Sequence, residues 1–136
     1  MDKQEIFNKV CTHLMTQNKR SFLKNRDWCE ECAYRGDGEL MCAVGCLIKD
    51  EHYSPSMETR HVTSSPVADA LVKSGVPNDV DTIDMLVGMQ EMHDRQEPEF
   101  WPMTLLEMAR SEQLEVPEVV KQGQQGQQCP QSWRGE

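Results

Sequence analysis

The chain has 136 residues, enough for one domain of ordinary size and a short appendage. Its apolar share of 38 % lies below the globular average of roughly 45–50 %, so a core is possible but lean. A net charge of −9 disfavours phosphate contact, which needs Lys and Arg, and no apolar run approaches the ~18 residues of a membrane span.

The charge is unevenly placed. Residues 1–75 carry 11 acids against 10 bases, whereas residues 76–118 carry 11 acids against only Arg95 and Arg110. The surplus therefore falls on one middle segment, which should repel nucleic acid and attract a basic protein surface. The opening MDKQEIFNKV mixes acids and bases and has no long apolar stretch, unlike a secretory signal. The expectation is a cytoplasmic protein whose six cysteines stay reduced or bind metal.

Residues 2–18 are expected to form an amphipathic helix. Ile6, Val10 and Leu14 recur every four residues with Phe7, Cys11 and Met15 beside them, and Asp2 with Glu5 has capping-box spacing. Residues 31–41 suggest a short β-hairpin turning at Gly36-Asp37-Gly38. The small apolar run Cys42–Ile48 should be buried, as a short helix in preference to a strand. After a loop at 52–64, a second helix is expected from Pro66 to Gly75, with Ser65 as N-cap. A third should span Asp79–Arg95, with Val80, Ile83, Leu86 and Val87 as its core stripe. Pro98 and Pro102 bracket a turn holding Phe100 and Trp101, and a fourth helix should cover 103–113. From Val119 the chain turns Gln- and Gly-rich, and a segment with so little to bury should stay disordered. The fold class expected is mostly α: about four helices and one β-hairpin in residues 1–118, then a loose tail over 119–136.

Cys29, Cys32, Cys42 and Cys46 have the spacing C-x2-C-x9-C-x3-C, and a hairpin could bring the two pairs together around one structural zinc. The simpler reading makes Cys42 and Cys46 small buried apolar residues and requires no cofactor. Trp28-Cys29-Glu30-Glu31-Cys32 looks like a redox W-C-x-x-C, but no buried strand precedes it, Gly36 would break the following helix, and the two glutamates would raise the thiol pKa. Arg35-Gly36-Asp37 matches the integrin tripeptide, best read here as a turn. No histidine has metal spacing, although His93-Asp94 could form a polar pair with Trp101. Without a nucleophile context or phosphate loop, an enzyme is not expected.

The third helix has a second apolar stripe, Met85, Met89 and Met92, nearly opposite Ile83. Such a helix sits at a bundle centre or docks a partner, and Met recurs at adaptable binding surfaces. The candidate partner surface joins these methionines to Asp81, Asp84, Glu91, Glu97 and Glu99.

The stretch Cys32-Ala33-Tyr34-Arg35-Gly36, Gly38 and Cys42–Glu51, followed by Tyr53 and Met57-Glu58, resembles a group of small proteins encoded by tailed phages and prophages. Gln90, His93-Asp94, Trp101, Leu105 and Ala109 fit the same group, so the resemblance covers roughly residues 3–115. It implies a phage setting and no mechanism. By analogy with small acidic phage proteins, it suggests an accessory protein that binds and inhibits a host protein with a basic surface, as an anti-defence protein or nucleic-acid mimic. A zinc-stabilised adaptor is the alternative.

Overall fold

A computed structural model describes residues 1–21, 33–58 and 60–127 of the chain. Five helices carry the fold: α1 (Lys3–Gln17), α2 (Ser65–Lys73), α3 (Val80–Arg95), α4 (Trp101–Glu112) and α5 (Glu118–Gln127). The expected mostly helical class holds, with one helix more than anticipated.

The caps explain the helix limits. The Asp2 carboxylate accepts the Glu5 N–H at 2.9 Å and the Glu5 carboxylate accepts the Asp2 N–H at 2.8 Å, completing the expected capping box. α1 ends where Asn18 turns left-handed, with φ 52°. Asp79 caps α3 by accepting the Thr82 N–H at 2.8 Å. α2 begins one residue earlier than expected, with Ser64 at the cap position and Pro66 in the first turn. Pro102 takes the same place in α4.

The expected hairpin survives only as one antiparallel bridge, Arg35 to Met41, and no strand forms among the described residues. Side chains edge this bridge where further strand would have to pair. Glu58 accepts the N–H groups of Tyr34 and Arg35 at 2.9 and 3.1 Å. Gln17 holds both backbone groups of Met41, at 3.0 and 2.9 Å, and His13 Nε2–H reaches the same carbonyl at 2.8 Å. The bridge keeps two backbone bonds, Gly36 N–H to Leu40 and Cys42 N–H to Tyr34, and side chains take the outward groups that a further strand would need. The following run is buried, with Gly45–Leu47 in a 3₁₀ turn, a much-shortened form of the expected helix.

The core gathers Ile6, Phe7, Val10, Cys11 and Leu14 of α1, Val67 and Leu71 of α2, and Trp101, Leu105 and Ala109 of α4 around the Cys42–Ile48 turn. α3 faces this core with a different stripe from the one expected. Thr82, Met85, Leu86, Met89, Met92 and His93 are buried, whereas Val80 is 73 % exposed and Ile83 and Val87 are half-buried. Leu86 belongs to both stripes, so the correction is a rotation of the helix about that residue. Thr82 can lie inward because its hydroxyl donates to Asp79 at 3.1 Å.

α5 occupies residues expected to be loose. Val120 is fully buried, and α5 packs on both α1 and α4. Gly123 permits the approach, since a Cβ there would meet the side chains of Met15 and Pro102. Ordered packing therefore reaches past the expected boundary at residue 118, and only residues 128–136 of the anticipated tail lie outside the described residues.

Candidate functional site

The motif-like residues of 33–60 are turned inward on one another. Glu58, 9 % exposed, accepts the Tyr34 N–H on Oε1 and the Arg35 N–H on Oε2, and the Tyr53 hydroxyl donates to that same Oε2 at 2.6 Å. Arg35 packs its guanidinium over the Tyr53 ring, 4.8 Å from the centroid, while donating to Asp50 at 2.7 Å and to the Ile48 carbonyl at 2.6 Å. Its role is to tie 48–53 to the bridge, so the Arg35-Gly36-Asp37 tripeptide does not present a free arginine. Tyr34 donates to the Arg60 carbonyl. Burial, with the Glu58 carboxylate beside them, raises the Tyr34 and Tyr53 phenols well above their ordinary range. Gly45 lies so close beneath Tyr34 that a Cβ would run into the Tyr34 carbonyl oxygen.

A second polar cluster centres on His93, fully buried. The Ser21 N–H donates to its Nε2 at 2.9 Å, so Nδ1 carries the proton and donates to Asp94 at 2.9 Å. Its ring stacks on Trp101 with centroids 5.7 Å apart, whereas the Trp101 N–H donates to the Gln96 carbonyl at 3.2 Å, so the contact with Trp101 is a ring stack and not a polar pair. Gln90 joins the cluster, accepting the Val44 N–H at 3.0 Å and donating to Asp94 at 2.9 Å. Thus Gln90, His93 and Asp94 fasten α3 to the Cys42–Ile48 turn and to Ser21. The His93, Asp94 and Gln90 side chains are spent on holding the fold together, while the buried Ser21 hydroxyl has no hydrogen-bond partner among the described residues.

The cysteines divide. Cys29 and Cys32, with the Trp28–Cys32 redox-like motif, lie outside the described residues. Cys42 is fully buried and its Sγ accepts the Gly45 N–H at 3.2 Å, while Cys46 donates to the Ala43 carbonyl at 3.1 Å. Burial raises the Cys42 thiol and pushes Cys46 up to about 12. Both sulfurs are engaged in contacts within their own turn, and zinc would have to displace the thiol protons that burial favours. Among the described residues no group of three or more His, Cys, Asp or Glu side chains is arranged to hold a metal.

The candidate partner residues also divide. Met85, Met89 and Met92 are 2 %, 0 % and 3 % exposed, so they belong to the core and cannot meet a partner. Asp81, Asp84, Glu91, Glu97 and Glu99 are all exposed. Of these, Asp84, Glu91, Glu97 and Glu99 make no ion pair among the described residues. Asp81 lies in the field of Lys3, which is paired with Glu112. What faces outward with the acids is the displaced apolar row, Val80, Ile83 and Val87. Phe100 and Met103, each 54 % exposed, follow in the turn and in α4. The sequence signal for this face was present, but it had been assigned to the core.

No helix among the described residues is long and apolar enough to cross a membrane. Comparison with family models, with curated proteins and with solved structures finds no match to this chain.

Proposed function

We propose that this chain is a non-enzymatic binding protein of phage origin, acting in the host cytoplasm by engaging and inhibiting a host protein with a basic surface. The observation that carries the reading is the outer edge of α3 with its following turn. There Asp84, Glu91, Glu97 and Glu99 stand exposed without ion-pair partners among the described residues. Unpaired charges of one sign do little for the fold, and they are well suited to steering and orienting an oppositely charged partner. The exposed Val80, Phe100 and Met103 supply apolar contact beside them. The carboxylates and the imidazole of the two internal clusters are already engaged in holding the fold, which favours binding over catalysis. The same acidic edge disfavours direct nucleic-acid contact and suits mimicry of it.

The test uses the full chain as bait in bacterial lysate, beside an Asp84→Lys/Glu91→Lys variant. A basic protein captured by the wild type and lost by the variant is the expected result, identified by mass spectrometry. Equal capture by both baits would remove the acidic edge from the interface.

A further inference from the structure

Two depressions lie end to end along the outer side of α3 and share Val62. The upper one, about 260 Å³, is enclosed by Val62 and Thr63, Ala68 of α2, and Val80, Ile83 and Asp84 of α3. The lower one, about 330 Å³, lies between Val87, Glu91 and Arg95 on one side and Arg60 and His61 on the other. Together they follow α3 for roughly 22 Å, at 1.5 Å per residue from Val80 to Arg95.

The upper notch is the more specific feature. It is smaller than the roughly 300–1,000 Å³ of small-molecule sites, a size that suits a single side chain. Val62, Ala68, Val80 and Ile83 make its walls mainly apolar, with Thr63 and Asn78 beside them, and Val80 leaves 73 % of its surface in solvent. Two carboxylates border it. Asp79 is held by the Thr82 N–H and hydroxyl, which keep it below the usual carboxylate range and therefore charged. Asp84 is exposed and has no ion-pair partner among the described residues. An apolar hole rimmed by fixed negative charge complements an apolar side chain flanked by cations.

We infer that this notch anchors the basic partner, receiving one apolar side chain of a peptide segment whose neighbouring Lys or Arg residues lie against Asp79 and Asp84. The inference rests on the proposed acidic binding face and adds where that face gains its specificity. The lower cleft, with Arg60 and Arg95 beside Glu91, then meets residues of mixed charge further along the same segment.

The probe is a peptide of alternating lysine and leucine, compared with lysine–serine and glutamate–leucine peptides of equal length. Each is titrated into the isotopically labelled full chain at low salt, and backbone and methyl shifts are followed by NMR. The lysine–leucine peptide is expected to shift Val62, Ala68, Val80 and Ile83. It should bind about tenfold tighter than either control and weaken about fivefold in Val80→Ser. Val80 is exposed, so this substitution leaves the fold in place. If both lysine peptides bind equally, with shifts at Glu97 and Glu99 and none in the notch, the anchor is overturned while the acidic face stands. Equal binding of the glutamate–leucine peptide removes the role of Asp79 and Asp84. If neither lysine peptide binds, the anchor fails and the acidic face loses its support as well.

Discussion

The stretch 33–60 and the outer edge of α3 differ in what their polar groups do. In the first, Glu58, Arg35, Tyr53 and Tyr34 take one another or the backbone as partners, and Gly45 is small because Tyr34 lies against it. On the second, four carboxylates and a row of partly exposed apolar side chains face solvent with no ion pair to hold them among the described residues. The motif-like residues of this stretch are thus the ones the fold consumes, and the plainest acidic residues are left in solvent. Distinctive spacing marks a geometric demand, and here the demand comes from folding 33–60 without a sheet.

This contrast can be broken at several points. Glu58→Ala should have the largest effect, about 4 kcal/mol, because it strands the buried Tyr34 N–H, the half-buried Arg35 N–H and the Tyr53 hydroxyl. Urea unfolding measures it, and a loss under about 1 kcal/mol would mean that the 33–60 cluster is incidental. Met89→Ala and Leu86→Ala should each cost roughly 2–5 kcal/mol, as both side chains are fully buried. A near-neutral Met89→Ala would return the methionine stripe to the surface. Truncation after Pro117 removes Val120 from the core, and about 2 kcal/mol is expected, with Tm lower by roughly 5–10 °C. Truncation after Gln127 should move Tm by less than about 2 °C.

A smaller effect concerns acid. His13 is held below its ordinary pKa of 6.5, chiefly by burial. A histidine depressed in the folded state favours folding while neutral. Its contribution is therefore complete above pH 6.5 and is lost as pH falls through the lowered value. Between pH 7 and pH 5, the wild type should lose more stability than His13→Gln, measured by urea midpoints at each pH. The smallest stability effect is expected from Asp84→Lys/Glu91→Lys, within about 0.5 kcal/mol of wild type.

Much of the helical frame was legible in the sequence, because caps and breakers are local. Asp2 with Glu5, Pro66 and Asp79 each mark a helix start through a bond or dihedral made within a few residues, whereas Pro102, expected to close a turn, stands in the first turn of α4, which already begins at Trp101. Rotation of α3 was not legible. Two apolar stripes compete there, and the one that won includes Thr82 and His93, polar residues made buriable by partners remote or local. α5 was missed because Gln and Gly dominate its composition, although Val116, Val119, Val120 and Gly123 fall at helical spacing. The hairpin was overestimated because Glu58, Gln17 and His13, all distant in sequence, satisfy its edges. For the site, the exposed carboxylates were identified by charge placement alone. The methionine stripe allowed a bundle centre or a partner surface, and the structure buries it, while Val80 and Ile83, expected in the core, are exposed and half-buried.

The division between an inward-paired cluster and an outward acidic edge is tested most directly by association kinetics with the captured basic partner. The rate constant is measured at low and high salt for wild type, Asp84→Lys/Glu91→Lys, and Lys9→Glu/Lys24→Glu as a control. A field of one sign speeds encounter and is screened by salt. The expected result is a wild-type rate that falls steeply with salt, and a rate for the acidic reversal slower by about tenfold or more at low salt. The lysine control should remain near wild type. A double reversal that associates as fast as wild type, with no dependence on salt, would show that the acidic edge is only solvated surface.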